Sequence, residues 1–272
     1  MRNLIIKEVN ARYALGKSRM KELNYVFNPY SGCLHGCLYC YAIDYSGNAI
    51  ADNWGNIIYV KVNIIDLLKR EINKNIRGIV GISSITDPYI AIEARYKLTR
   101  NAIEILYKNG FYVTVQTKSP LILRDMDILH HNNIDAGITI TTLNKKISDL
   151  IEPYAPSPES RMNTLVKLKN NNIKTWLFLG PVIRNINDGI DNIEKIIKSA
   201  SEYNIRIIYD KYNNYNGASR YMKSVNYLLS DNKWWNNIES NIIRLCGEYG
   251  VECTDENNEK EYEMNKIQKK LF

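Results

Sequence analysis

Short β-branched apolar runs alternate along this chain with longer stretches of helical period, and that alternation narrows the available folds more than any other feature. The runs are Tyr25 to Phe27, Gly78 to Ile82, Phe111 to Val115, Ala136 to Ile140, Lys174 to Leu179 and Ile205 to Tyr209. Between them, Leu98 to Leu106 and Gly189 to Ile197 carry apolar residues three and four apart, the spacing of helices packed on one face. A strand followed by a helix, repeated, makes parallel strands. Ser119 before Pro120 and Ser157 before Pro158 predict two helix starts, each a capping hydroxyl followed by proline at the first helical position. Six such units suit an open barrel or a doubly wound sheet equally well. In both, functional groups gather at the C-terminal ends of the strands.

With 272 residues, 45% of them hydrophobic, the chain can bury one large core. No linker or repeat interrupts it, so the reading is a core over residues 1–219 and a helical C-terminal extension over 220–272 packed on it. No run approaches the roughly 18 to 20 apolar residues of a membrane span, and the start MRNLIIKEVN lacks the apolar stretch of a secretory signal. A cytoplasmic protein with reduced thiols and no membrane contact is expected.

Three of the five cysteines, Cys33, Cys37 and Cys40, fall within YSGCLHGCLYCYA, residues 30–42. Crowding three thiols into one loop is poor disulfide design and points to metal binding or reactivity. A closed zinc site needs a fourth ligand: His35 is too near two of the cysteines for a relaxed tetrahedron, and Cys246 or Cys253 would have to come from far away. A nucleophilic cysteine leaves the other two thiols unexplained. Burial as small apolar residues suits a core segment, but Gly32, His35 and Gly36 mark a loop. The remaining reading is an iron–sulfur cluster held by three thiolates with one iron open to a ligand.

Cys-x-x-x-Cys-x-x-Cys with an aromatic, Tyr39, before the last cysteine resembles the signature of radical S-adenosylmethionine (SAM) enzymes. With SSITDPY (83–89), VQTKSPLILRD (115–125), ITITTLN (138–144), EPYAPSPESR (152–161) and GPVIRNIND (180–188), the chain from about Asn28 to Asp188 resembles the spore photoproduct lyase-related, DNA repair photolyase-like branch. The resemblance implies a partial (β/α)6 TIM-type barrel, a [4Fe-4S] cluster on Cys33, Cys37 and Cys40, and S-adenosylmethionine on the open iron. It implies a 5′-deoxyadenosyl radical as the reactive species, lyase chemistry of a DNA-repair kind, a nucleic-acid substrate and an electron donor such as ferredoxin or flavodoxin. Tyr39 and Tyr41 match tyrosines implicated in hydrogen return near the cofactor. Ser84, Thr86, Asp87 and Thr139 match cofactor-side positions, and Lys118 matches a lysine that contacts the cofactor carboxylate. At Ser84 the spore enzyme resembles Cys-Thr-Ser-Asp, whose cysteine donates hydrogen; a serine O–H bond is too strong for that, so the spore-lesion reaction in its known form is not implied. The rivals are a radical SAM enzyme acting on a peptide or small metabolite, and a non-enzymatic zinc-stabilised binding module.

Other residues take structural readings. His130 and His131 suit the carbonyls at a helix C-terminus. Cys246 reads as a buried helical thiol, Cys253 as a surface thiol, and Trp234 and Trp235 as core anchors. Asp87-Pro88-Tyr89 also reads as a turn. Tyr212 and Tyr215, after the sixth strand, are placed for substrate. The net charge of +7 is compatible with a polyanionic partner. A monomer is expected. The terminal Gln268-Lys269-Lys270-Leu271-Phe272 resembles the short motif that docks on DNA sliding clamps, and also reads as a frayed amphipathic end.

Overall fold

A computed structural model describes residues 3–256; the clamp-like motif at Gln268–Phe272 lies outside the described residues. Among the described residues eleven strands form: β1 (Ile5–Val9), β2 (Leu15–Lys17), β3 (Tyr25–Phe27), β4 (Tyr30–Ser31), β5 (Ile57–Lys61), β6 (Ile79–Ile82), β7 (Tyr112–Thr117), β8 (Ile134–Thr139), β9 (Thr175–Val182), β10 (Ile207–Lys211) and β11 (Cys253–Asp255). The main sheet has the order β11-β10-β9-β8-β7-β6-β3-β2, parallel throughout except for β2 against β3. All six expected strands are here, in chain order from β3 to β10. The sheet is open, with β2 and β11 at its edges, and β1, β5 and β4 make a separate small sheet.

The central strands β6 and β8 are buried on both faces. Every residue of β6 and of β8 is buried, as a parallel sheet covered by helices requires. The one carboxylate in β8, Asp135, is paired: it accepts from the Tyr112 hydroxyl at 2.9 Å, Thr114 Oγ1 at 2.6 Å and Trp176 Nε1 at 3.0 Å.

The expected helices appear at Leu98–Lys108 and Ile190–Ser201. The first buries Leu98, Ala102, Ile103 and Leu106; the second buries Ile193, Ile196, Ile197 and Ala200. Each leucine and isoleucine among them contributes about 1.5–3 kcal/mol by leaving water. The proline-marked starts also form: Ser119 Oγ accepts from Leu121 N ahead of the 3₁₀ helix Pro120–Asp125, and Ser157 Oγ from Ser160 N ahead of Pro158–Asn170.

After β10 the chain forms helix Asn216–Met222, which crosses residue 219, and then the long helix Asn232–Tyr249, packed on Ile190–Ser201. Gly250, at φ +65°, ends the long helix and turns the chain back into β11 alongside β10. This return corrects two readings: Cys246 and Cys253 are not free thiols but form a disulfide, their Cα atoms 6.1 Å apart. Trp235 is buried as expected, while Trp234 is only half-buried and donates from its indole to Asp188 at 2.9 Å. His130 Nδ1 lies 3.5 Å from the Met126 carbonyl, the helix-end contact expected of it. Among the described residues no helix is long and apolar enough to cross a membrane.

Candidate active site

The cysteine loop leaves β4 at the C-terminal end of the parallel strands and closes into the short helix Tyr41–Ile43. Two glycines shape it. Gly32, at φ +86°, has the Ile57 carbonyl where a Cβ would stand, at 2.4 Å; Gly36, at φ +62°, lies under the Tyr154 ring, 2.8 Å from the same imaginary atom. Neither position accepts a side chain without the loop moving. Hydrogen bonds hold the loop from outside: Leu38 N donates to Ile151 O at 2.9 Å, Tyr154 N to His35 O at 3.2 Å, and the Trp54 indole Nε1 to Cys37 O at 3.1 Å.

Cys33, Cys37 and Cys40 are the free cysteines, the first two buried and the third half-buried. Burial pushes all three thiols up, Cys40 to about 12, with neighbouring cysteines adding to the effect at Cys37 and Cys40. Such thiols become thiolates when a cation is there to replace lost solvation. Because Cys246 and Cys253 hold each other, neither can serve as a distant fourth ligand. Among the described residues no three or more His, Cys, Asp or Glu converge on a single-ion site. Three thiolates in one loop, with no fourth cysteine free, are a donor set that an iron–sulfur cluster with one open iron would take.

Asp87 ties the expected residues together. Its Oδ1 accepts from Thr117 Oγ1 at 2.6 Å and from Tyr89 N at 2.8 Å; its Oδ2 accepts from Lys118 N at 2.8 Å and lies 3.4 Å from His35 Nδ1. The carboxylate is therefore both the turn residue expected and a brace between the β7 end and the cysteine loop. Burial works to raise its pKa, but His35 and the hydrogen bonds from His35, Thr117 and Lys118 outweigh it and hold the group down to about 2. Thr86 Oγ1 donates to the Gly32 carbonyl, and the Tyr41 hydroxyl to the Ser84 carbonyl. Ser84 Oγ exchanges hydrogen bonds with the Asn28 amide at 3.2 and 3.3 Å. Thr139, at the β8 end, accepts from Gln116 Nε2 at 2.9 Å.

Lys118 lies among charges that the sequence reading passed over. Its Nζ is 5.6 Å from the Tyr39 ring centroid and 3.9 Å from Glu152 Oε1. Glu152 is wholly buried, as is Arg161, whose Nη2 lies 2.6 Å from Glu152 Oε2; the Tyr39 hydroxyl donates to Oε1. Burial opposes the charge on Glu152, yet Arg161 and Lys118 hold its carboxyl below the usual range. Burial likewise opposes the charge on Lys118, and Cys37 and Glu152 more than offset it. Glu152 and Arg161 are the two ends of EPYAPSPESR; opposite charges nine residues apart, across a helix start, were the available signal.

Lys118 is also short of partners. Its side chain is 16% exposed, and among the described residues no acceptor lies within hydrogen-bond distance of its ammonium. Three donors without an acceptor, beside a loop of free thiols, suit a small anionic ligand at that loop.

An aromatic wall stands on the other side of the loop. The Tyr41 ring is 6.0 Å from Tyr45 and 5.9 Å from Tyr215, and Tyr45 is 65% exposed. Asp44 fixes the two segments together by accepting from Gly217 N at 2.7 Å and Ala218 N at 3.1 Å. Of the two tyrosines expected to face substrate, Tyr215 joins this wall. Tyr212 is instead buried in the cluster with Cys37 and Tyr39, its hydroxyl without a hydrogen-bond partner among the described residues.

Comparison with known proteins agrees with this arrangement. A family profile described as the radical SAM superfamily matches residues 27–200. An uncharacterised protein of Methanocaldococcus jannaschii is 36% identical over 184 residues, which cover 67% of this chain and 70% of that protein. Among solved structures, a spore photoproduct lyase variant with bound AdoMet and dinucleoside spore photoproduct aligns with a TM-score of 0.70 at 13% identity, over 93% of this chain and 81% of that one. Streptococcus suis SuiB bound to S-adenosylmethionine aligns at 0.62 and 13% identity, over 85% of this chain and 49% of its own. The α/β architecture with its open, mostly parallel sheet is thus the partial-barrel fold of radical SAM proteins.

Proposed function

The chain belongs to the radical SAM superfamily, a family that implies S-adenosylmethionine and an iron–sulfur cluster, and from that premise we propose a single-cluster enzyme acting on nucleic acid. Cys33, Cys37 and Cys40 would hold a [4Fe-4S] cluster, and Lys118 would meet the carboxylate of S-adenosylmethionine. When bound, the pair supplies a 5′-deoxyadenosyl radical that removes hydrogen from a substrate held against it. The chain's own part is to hold that substrate and exclude water. Asp87 braces the β7 end, the Gly32 and Gly36 backbone sets the loop, and the buried phenols of Tyr39 and Tyr41 stay protonated, pushed up by burial. Tyr41, Tyr45 and Tyr215 would form the substrate wall.

The observation that carries the reading is the division of the cysteines: the three in one loop are free while the other two are paired. The nucleic-acid substrate is supported by the aromatic wall, the net charge of +7 and the likeness to a lyase solved with a dinucleoside lesion. Ser84 in place of a hydrogen-donating cysteine argues for a reaction other than the spore-lesion one. A monomer in the cytoplasm, served by a ferredoxin- or flavodoxin-type donor, completes the proposal. Anaerobic preparation should give about four irons and four sulfides per chain, and alanine at Cys33, Cys37 or Cys40 should abolish both iron and cofactor cleavage. Stoichiometric zinc, or an iron-replete Cys37→Ala protein, defeats it. If the loaded protein cleaves cofactor but no oligonucleotide stimulates it, the peptide or metabolite substrate replaces nucleic acid.

A further inference from the structure

Glu152 is a wholly buried carboxylate with two cations within reach, yet only one of them grips it. Arg161 Nη2 is 2.6 Å from Oε2, and the rest of the guanidinium is committed to its surroundings. Its Nε donates to Pro156 O at 2.8 Å, and its Nη1 lies 3.5 Å from Thr139 O. Ser148 Oγ adds a bond to Oε2 at 3.3 Å, and the Tyr39 hydroxyl occupies Oε1. Lys118 stands off at 3.9 Å, too far for a hydrogen bond. A lone carboxylate and a lone ammonium in so dry a place would close to contact, since their attraction is scarcely screened there. What opposes closure is that both Glu152 oxygens are already held, Oε2 by Arg161 and Ser148 and Oε1 by Tyr39.

We infer that Arg161 is a positioning residue: by anchoring Glu152 through Oε2 it keeps that carboxylate off Lys118 and leaves the Lys118 ammonium free for the carboxylate of the bound cofactor. The Ser157–Pro158 helix start matters to this, because it sets Arg161 in the first turn of Pro158–Asn170, where Nε can reach back to Pro156. Tyr39, one residue before Cys40, links the same carboxylate to the cysteine loop. This rests on the cofactor-site reading above, which gives Lys118 its ligand.

The test measures S-adenosylmethionine affinity by equilibrium dialysis on cluster-loaded protein, with iron per chain and melting temperature as controls. In Arg161→Gln, Glu152 is released onto Lys118, and affinity should fall about tenfold or more with iron unchanged. In the double variant Glu152→Gln/Arg161→Gln there is no carboxylate to capture Lys118, and affinity should return to within about threefold of the unmodified protein. A purely structural role predicts no such rescue, so a double variant as weak as the single one overturns the inference. Where Arg161→Gln does not fold, the uncharged double variant carries the test alone, and a tenfold loss there overturns it. An unmodified, iron-loaded protein that fails to bind S-adenosylmethionine sinks the cofactor-site reading itself; binding that is normal there but insensitive to Arg161→Gln sinks only this inference.

Discussion

Asp87 shows how much one side chain can carry at this site. A turn was legible from Asp87-Pro88-Tyr89, and the bond from Tyr89 N confirms it, but the same carboxylate also receives Thr117, the Lys118 amide and His35. No local pattern announces those partners, which come from the end of a different strand and from the cysteine loop. The bonds hold the folded-state pKa at about 2, below the ordinary 3.8. A depressed acid stabilises the fold fully above its unfolded value, and the contribution fades as pH falls through the folded one. Urea unfolding followed from about pH 7 to pH 2 should therefore show that Asp87→Asn loses about 2 kcal/mol near neutrality and that the difference from the unmodified protein shrinks below about pH 4. A constant difference across that range would place its role in packing alone.

At the scale of elements, the last strand and its disulfide make the clearest departure from the sequence reading. Gly250 signals the end of the long helix, but nothing local says that Val251 to Asp255 will run back beside β10 and bring Cys253 to Cys246. The bond closes a short loop, with a sequence separation of 7, and loop-closure entropy assigns such a link about 2.5 kcal/mol. Cys253→Ser should lower the melting temperature by roughly 5–10 °C while leaving iron content and cofactor cleavage intact. Loss of iron in that variant would mean that the C-terminal strand supports the cysteine loop as well as the sheet edge.

For the whole molecule, the proposed function requires a nucleic-acid substrate to reach a radical formed at the cysteine loop. The wall of Tyr41, Tyr45 and Tyr215 joins segments far apart in sequence, and Asp44 and Asp52 tie them further, the latter through Arg220 at 2.7 Å. A base must leave its stack to lie against such a wall, at a cost of a few kcal/mol that is least for damaged or unpaired bases. On that proposal, lysine and arginine contacts to phosphates would offset the cost and make binding sensitive to salt. With about three phosphate contacts on a single strand, affinity should drop about twentyfold between roughly 50 and 200 mM salt. Tyr45→Ala should weaken binding by about 1–3 kcal/mol at every salt concentration without changing the slope, because stacking releases no counterions. A change in slope would assign Tyr45's effect to electrostatics.

Sequence alone determined the run of strands, their parallel order, the proline-marked helix starts and the three thiols of the loop. Each is written in a window short enough for periodicity, capping or cysteine spacing to act within it. Only the tertiary structure decided the open sheet with β11 at its edge, the pairing of Cys246 with Cys253, and the burial of Glu152 between Arg161 and Lys118. Those features depend on which distant groups share a dry volume, where an unpaired charge is costly and a partner within 4 Å changes everything. EPYAPSPESR already contained both members of the buried pair. That its ends would meet beneath the cysteine loop followed from how the strands bring their C-terminal ends together.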